Sequence, residues 1–293
     1  MPSFSFKKEV KLFLVHDSKK YRIDVNEIEF GQTFQETSYP VKTLHNQSSF
    51  EGSVINRANP AEFSFNTPLL QEERHKVVFD RLLDSATFDL YISTESDDVW
   101  KLEKCVIQDG TFEINKSRPL RLSISGEASK LSKHSGAIPG TLQTAGTTTT
   151  TYIVPDLSTF TLGSDDVSKS IVGMTVSLQN DINWNNYNTV QGATTATNAA
   201  TSQYPTNFTV GTKVLSGTIS KYLDDESTSV LTWNTNTSLR LRAGNGTQEL
   251  DFNITNCSFT NRMSAQDVFR EEYNWRMTQN PTALSSVITY TTT

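Results

Sequence analysis

Little in this sequence suits a catalytic, metal-binding or membrane-spanning protein. Among its 293 residues there are only two cysteines, Cys105 and Cys257, and neither has a second cysteine or a histidine at metal-ligand spacing. No apolar run approaches the roughly 18 residues that a membrane-spanning helix needs. The four histidines are scattered along the chain: His16, His45, His75 and His134. We therefore expect two reduced, buried cysteines, no metal site, no cofactor and no membrane span.

An excess of positive charge is also missing. The chain has 26 Lys and Arg residues against 32 Asp and Glu residues, which gives a formal net charge of -6. A protein that grips DNA uses cationic side chains to neutralise phosphates, so contact between DNA and this chain should be repulsive rather than adhesive. Residues 1–9 contain no apolar stretch like that of a signal sequence, which predicts a soluble intracellular product.

Acidic clusters are the nearest approach to a reactive site. They occur at Asp97-Asp98, at Asp165-Asp166 and at residues 224–226, and could serve calcium binding or general acid–base catalysis. Each lies in a predicted turn, where aspartate is favoured because it hydrogen bonds to the local backbone. No phosphate-binding glycine loop, nucleophile elbow or zinc-peptidase motif accompanies them. The residues therefore predict no catalytic centre.

The first half of the chain reads as short strands separated by polar turns. Residues 10–15 and 21–25 flank a polar four-residue turn at 17–20, which predicts a hairpin. Thr67-Pro68 is typical of a helix start, and apolar residues then recur at helical spacing as far as Ser85. Further strands are predicted by alternation at residues 50–55, 88–93, 100–107, 110–114 and 120–126. The pattern predicts a mainly β protein with minor α structure.

A second set of similar elements follows the first, across a stretch at 129–151 that is rich in Lys, Ser, Gly, Pro and Thr. The strand with Gly52 has a counterpart with Gly217, and the segment ending at Phe112 has one ending at Phe259, although in this alignment the two cysteines do not superpose. We therefore expect a first β domain over 1–131, a linker over 132–169 and a second β domain over 170–293. Phe112 and Phe259 lie on alternating strands and are predicted core anchors.

Two long polar loops occupy matching places in the two domains, at residues 31–49 and 183–207. Compact domains favour short connections, so long loops between strands usually bind something. We expect these loops to carry assembly contacts. The candidate residues are Gly31, Thr33, Phe34, Tyr39, Pro40, Val41 and Leu44 in the first loop, and Trp184, Tyr187 and Tyr204 in the second.

This combination resembles the tail tube proteins of bacteriophages. The resemblance rests on the hairpin, the long polar loop, the glycine-bearing strand, the short helix and the closing strands at 110–114 and 121–127. It covers most of residues 8–131 and, more faintly, 170–278. It implies two tandem tube-type β-sandwich or barrel domains, with one short helix in the first. In that family the sheets of six tube domains join edge to edge around a channel. Some relatives carry two domains per chain and form each ring from three chains.

The resemblance also implies a function and partners. The chain would be a virion structural protein of the tail rather than an enzyme, made in the host bacterial cytoplasm. Its partners would be further copies of itself, within a ring and along the tube, and other tail proteins such as sheath, baseplate or terminator. Phage DNA would pass through the rings during ejection without specific binding.

Three alternatives stay open at this point. The chain could form the tube initiator or the baseplate hub ring of the same tail. It could instead be a carbohydrate-binding or adhesin module, because Trp184, Tyr187 and Tyr204 could stack on sugar rings. The third alternative is a hydrolase with an unrecognised site.

Overall fold

The structure, a computed structural model, describes residues 10–43, 46–68, 73–94, 98–115, 118–143, 156–185, 202–223, 236–244, 249–265 and 269–291. Within these ranges the chain is mainly β, with one α-helix, α1 (Glu73–Asp84), and one turn of 3-10 helix, η1 (Leu284–Ser286). The strands of the first half are β1 (Val10–His16), β2 (Lys19–Ile23), β3 (Glu27–Gly31), β4 (Phe34–Thr43), β5 (Asn46–Ala58), β6 (Ala61–Pro68), β7 (Phe88–Thr94), β8 (Val99–Asn115), β9 (Arg121–Ala128), β10 (Lys130–His134) and β11 (Thr141–Leu142). Those of the second half are β12 (Asp156–Leu162), β13 (Asp165–Asp166), β14 (Ile171–Trp184), β15 (Phe208–Tyr222), β16 (Thr237–Gly244), β17 (Glu249–Ala265), β18 (Phe269–Met277) and β19 (Ile288–Thr291).

The first unit consists of β1–β10 with α1, and its centre is the long strand β8. The first half of β8 pairs with β7 and β10, and β7 leads on to β1 and β2. The second half of β8 pairs with β9, and β9 leads on to β6 and β3. All these pairings are antiparallel, as the alternating sequence predicts for strands with one buried face.

The second unit, β12–β19, repeats this topology around β17. The first half of β17 pairs with β16 and β19, and β16 leads on to β12 and β13. The second half of β17 pairs with β18, and β18 leads on to β15 and β14. Every strand pairing within the second unit therefore has a counterpart in the first, and the chain consists of two tandem copies of one β architecture.

The same irregularity marks both copies. The pairing of β7 with β8 shifts register at Cys105, and the pairing of β16 with β17 shifts register at Cys257. Both cysteines are fully buried and free. The sequence alignment was wrong on this point, since the cysteines do superpose. Phe112 and Phe259 lie on the equivalent strands β8 and β17, but by cross-strand pairing Phe259 corresponds to Ile107 rather than to Phe112.

The two glycine strands matched in the sequence are not equivalent. Gly52 lies on β5, which pairs with β4 in a separate two-stranded sheet. Gly217 lies on β15, whose counterpart is β6, and there it corresponds to Phe63. The predicted long loop at 31–49 is therefore largely a hairpin, β4–β5, inserted between β3 and β6. Both arms contain aromatic and β-branched residues, among them Tyr39, Val54 and Ile55, and such residues favour strands.

Three predicted boundaries also differ from the structure. The helix begins at Glu73, and Pro68 ends strand β6 opposite Arg121, because Thr67 donates its hydroxyl to the carbonyl of Asp24 (2.8 Å) rather than capping a helix. The strands expected at 100–107 and 110–114 form one continuous strand, β8. The expected linker at 132–169 contains β11, β12 and β13, and β12 pairs with β16 of the second unit.

The turn of the first hairpin shows why the sequence could locate it. Asp17 and Ser18 both adopt positive φ, 48° and 61°. That conformation gives the two-residue turn whose twist matches its flanking strands, and Asp tolerates it. The turn is thus shorter than the four residues expected, and the strands run to His16 and from Lys19.

Candidate assembly interface

The two units are joined strand to strand, and we call this pairing of β8 with β14 the internal joint. Its register places Phe112 opposite Val176 and Thr111 opposite Ser177. The hydroxyl of Thr111 donates to that of Ser177 at 3.5 Å, on the exposed side of the sheet. Because β8 and β14 belong to different units, the sheet continues without a break from the first unit into the second.

Aromatic rings from both units meet behind the internal joint. Phe112 of β8 and Phe79 of α1 are 5.7 Å apart between ring centroids. Phe252 of β17 lies 6.1 Å from Phe112, and Tyr290 of β19 lies 5.6 Å from Phe79. Such edge-to-face pairs add to the burial of their apolar area. The helix therefore packs against both units, and the core is continuous across the joint.

Polar side chains of the second unit fasten the end of α1. Asn180 of β14 is buried and donates its amide to the carbonyls of Leu82 (3.2 Å) and Ile107 (3.0 Å). Lys213 of β15 donates to the carbonyl of Leu83 at 2.8 Å, and burial lowers the pKa of this lysine. The last carbonyls of a helix lack partners within it, and here the second unit supplies them.

A segment that precedes β15 crosses back over the first unit. The backbone amide of Ala58 donates to the carbonyl of Gln203 (2.9 Å), and the hydroxyl of Ser129 donates to that of Pro205 (2.5 Å). Tyr204 lies 6.3 Å from Phe34 in an edge-on arrangement, and the ammonium of Lys130 lies 5.0 Å from the Tyr204 ring centroid. The second long connection thus makes lateral contacts with the neighbouring unit.

The continuous sheet has an open edge at each end. At one end, β3 pairs on one side with β6, and its other side has no strand partner among the described residues. At the other end, the second half of β17 pairs with β18, and its other side is likewise open in the described part of the chain. Open edges present unpaired N–H and C=O groups, so they invite pairing with another strand.

The continuous sheet contains eight strands, in the order β3, β6, β9, β8, β14, β15, β18 and β17. One face of this sheet is polar. Along each strand the buried apolar residues alternate with exposed or half-buried polar ones. Thr111 and Ser177 pair across the middle of the face, and Thr175 and Thr218 share a hydrogen bond of 2.7 Å beside them. Large aliphatic side chains point instead to the core.

Charge is distributed unevenly over this face. Among the described side chains the first unit contributes the carboxylates of Glu27, Glu29, Glu62, Asp109, Glu113 and Glu127, and one arginine, Arg121. The second unit contributes Asp181 and Glu272 together with Arg262, Arg270 and Arg276. The face is thus acidic over the first unit and nearly balanced over the second.

The architecture agrees with a comparison of sequences. The family model described as the bacteriophage baseplate tube protein family matches this chain over residues 2–83 and again over 82–292. The chain belongs to that family. It is similar to the baseplate tube protein p140 of Escherichia phage T5, with 22% identity over 199 residues, which make up 62% of this chain and 65% of that protein. The chain thus aligns with less than two thirds of that relative's length.

Within the described residues, members of two acidic clusters have local structural partners. Asp166 accepts hydrogen bonds from the backbone and the hydroxyl of Ser168 (3.0 and 2.5 Å), which lower the pKa of its carboxyl. Asp98 pairs with Lys133 at 2.5 Å. Asp97 and residues 224–226 lie outside the described residues. In the described part of the chain no group of three or more His, Cys, Asp or Glu residues could hold a metal ion, and no helix is long and apolar enough to cross a membrane.

The candidate loop residues are distributed over the two long connections of the chain. Gly31 ends β3, Thr33 accepts a hydrogen bond from the Asn59 amide (2.8 Å), and Phe34 begins β4. Tyr39, Pro40 and Val41 lie on β4, where only their backbone is described, and Leu44 and Tyr187 lie outside the described residues. Trp184 ends β14 and packs against Phe208 at 5.1 Å. The structure brings Phe34 and Tyr204 together.

Both predicted core anchors are buried, Phe112 at 1% exposure and Phe259 at 9%. The sequence reading missed the side chains that tie the units together, namely Phe79, Asn180 and Lys213. Their partners are distant in sequence, and a polar residue on a strand gives no signal that it will cap a helix in the other unit.

Proposed function

We propose that this protein is a structural subunit of the phage tail tube at its baseplate end, with no catalytic role. The observation that carries the proposal is the internal joint, at which two tube-type units share one continuous sheet and one core. Membership of the baseplate tube family supports the placement at the baseplate. The tube initiator or baseplate hub ring, which the sequence left open as an alternative to the main tube, therefore fits better than the main tube itself.

We propose that the polar face of the sheet lines a channel through which phage DNA passes. Its hydroxyls and carboxylates support this, because DNA is held tightly only where cationic groups neutralise phosphates. The carboxylates of the first unit would repel the duplex. Because first and second units would alternate around a ring, the arginines of the second unit would lie between these carboxylates. The chain would then guide DNA without retaining it.

We further propose that three chains close a ring of six units. Since each chain already contains one joint between units, three more joints between chains would complete the ring, and the two open edges supply the strands for them. Rings would then bind one another and other tail proteins along the tube axis. Such an assembly belongs to the virion tail after synthesis in the bacterial cytoplasm.

For the long connections we propose contact with neighbouring units. The lateral contacts of residues 203–205 with the first unit support this for the second connection. The β4–β5 hairpin is the counterpart in the first unit, and we propose that it contacts the adjacent chain or the next ring. Replacing residues 36–56 with a short Gly/Ser turn keeps Phe34 and Ala58 and joins the paired residues Gln35 and Arg57. This variant should leave both units folded but weaken assembly, and tubes like those of the wild type would show that the hairpin has no assembly role.

Negative-stain electron microscopy over a range of protein concentrations tests the proposed function. Rings with a central channel, and stacks of such rings, are expected as the concentration rises. A carbohydrate-binding module would instead give discrete oligomers without a channel and positive signals on a glycan array, which would overturn the structural assignment.

A further inference from the structure

We propose that β17 of one chain pairs with β3 of the next in the register of the internal joint, which places Met263 opposite Phe30 and Ser264 opposite Glu29. This inference rests on the proposed function, because it names the surface by which one copy of the chain binds a second copy. The internal joint is the template, since it already pairs the two units within one chain.

The register follows from the pairings that the two units share. On the strands next to the open edges, Phe63 faces Gly126 in the first unit and Gly217 faces Trp275 in the second, which aligns β6 with β15 and β9 with β18. The next strands on one side are β3 and β14, and there the alignment makes Phe30 the counterpart of Val176. The next strands on the other side are β8 and β17, and there it makes Phe112 the counterpart of Met263.

The side chains at the two open edges repeat the chemistry of the internal joint. There, Phe112 faces Val176 and lies 6.1 Å from Phe252. The counterpart of Phe252 is Trp100, through the shared register shift at the cysteines. In the proposed joint Met263 would therefore enter between Phe30 and Trp100, whose rings already lie 6.4 Å apart. A thioether against aromatic rings is a favourable contact.

Exposure distinguishes the open edges from the closed joint. Phe112 and Phe252 are 1% and 0% exposed, whereas Met263 and Trp100 are 57% and 37% exposed. Large apolar side chains left open on a sheet edge mark an interaction surface when they lie together. Phe269 adds to this patch, since it pairs with Ala265 at the end of β17 and is 55% exposed. Each of these residues would be covered if a second copy of the chain added its strand.

Charge favours the pairing of β3 with β17 over the pairing of two copies of β3. Strand β3 carries Glu27 and Glu29 on its polar side, and neither has an ion-pair partner among the described residues. Strand β17 carries Arg262 on the same side of the sheet, which in the proposed register is the diagonal neighbour of Glu29. Opposite charges at that spacing attract, whereas two β3 edges would bring carboxylates together. The contact is therefore head-to-tail and lets a ring close.

Engineered disulfides test the register. Glu29 and Ser264 lie at opposite edges of the sheet, seven strand spacings apart, or roughly 34 Å along the sheet at about 4.8 Å per spacing. A disulfide in the double variant Glu29→Cys and Ser264→Cys must therefore join two chains. The internal-joint pair Glu113→Cys and Thr175→Cys is the matched positive control, because it has the same register but lies within one chain. Glu29→Cys with Thr260→Cys is the out-of-register control. The native cysteines are fully buried, so they should not take part in cross-links between chains.

Under mild oxidation the Glu29→Cys, Ser264→Cys variant should give covalent species of two and three chains, at least tenfold more than the out-of-register pair. If electron microscopy shows rings but cross-linking does not exceed that of the out-of-register pair, the proposed register is wrong and the proposed function stands. Absence of both rings and cross-links, while the internal control closes its disulfide, would overturn both.

A single substitution tests the apolar contact independently. Met263→Asn should leave the melting temperature of the isolated chain nearly unchanged, because the side chain is mostly exposed and the change adds no charge opposite Glu271, but should weaken association between chains at least tenfold. Leu142→Asn is the control, since Leu142 is 47% exposed but lies on β11, away from both edges. Wild-type assembly of the Met263→Asn variant would show that Met263 is not in the joint.

Discussion

The indole of Trp275 fills the space above Gly217, so that a Cβ on this glycine would lie 2.9 Å from the indole nitrogen and 2.0 Å from the carbonyl oxygen of Thr175. The first unit has the reverse arrangement, in which the ring of Phe63 lies above Gly126 at 2.6 Å from such a Cβ. Each unit thus places one aromatic ring over one glycine on the same pair of strands. The two units therefore share this packing, but the ring comes from β6 in the first unit and from β18 in the second.

Substitution at this glycine should be costly. Gly217→Ala should reduce the free energy of unfolding by about 1–3 kcal/mol, because the added methyl group overpacks a position bounded by backbone. Gly31→Ala is the control, since nothing lies within 4 Å of a Cβ there, and it should change stability by less than about 0.5 kcal/mol. Urea denaturation of dilute protein measures both. Equal stabilities would contradict the packing described for Trp275.

The buried phenylalanine of the internal joint should matter far more than its exposed counterpart. Phe112→Ala should cost about 3–5 kcal/mol, because it leaves a cavity among rings of both units. Met263→Ala, at the corresponding position of the second unit, should be nearly neutral in the isolated chain, since Met263 is 57% exposed. Thermal unfolding by circular dichroism distinguishes them. Two variants with the same melting temperature would show that the joint adds no stability.

A buried ion pair in the second unit gives a third prediction. Lys221 and Glu271 are 2.9 Å apart with side chains 5% and 11% exposed, and the hydroxyl of Tyr273 donates to Glu271 at 2.6 Å. Glu271→Gln should destabilise the protein by about 3–5 kcal/mol, because it leaves the lysine charge buried without its counter-ion. The double variant Lys221→Met, Glu271→Leu should recover most of this loss. A Glu271→Gln variant as stable as the wild type would contradict the buried ion pair between Lys221 and Glu271.

The polar face supplies a prediction about pH. Burial raises the pKa of Glu127 above its ordinary value of 4.5, although a hydrogen bond with Gln108 partly offsets this. A carboxyl whose pKa is higher in the folded state favours folding below the unfolded pKa, and this contribution is lost as the pH rises through the folded pKa. Glu127→Gln should therefore be more stable than the wild type at pH 7 but not at pH 4.

Urea denaturation at the two pH values measures this difference. The wild-type protein is measured beside the variant at each pH, so that the stability difference isolates the Glu127 side chain. A Glu127→Gln variant whose stability difference from the wild type is the same at pH 4 and pH 7 would contradict the effect of burial.

The sequence predicted the class of fold, the first hairpin and the existence of a repeat, because strand alternation and turn residues are local signals. It misaligned the repeat through Gly52 and Gly217, since a glycine in a strand can mark either an inserted hairpin or a close contact with an aromatic ring. The exposed apolar residues Met263 and Trp100 had the same appearance in sequence as core residues. Only the strand pairing shows that their counterparts, Phe112 and Phe252, are buried at the internal joint.

On the proposed assembly, the two units in one chain supply half of the joints of a closed ring. Native mass spectrometry of the wild-type protein, titrated upward in concentration, tests this ring directly. Discrete assemblies should contain three chains or multiples of three, and Met263→Asn should shift the population to single chains. A stable end product of two chains, or a wild-type protein that stays a single chain at concentrations where the tube should form, would contradict it.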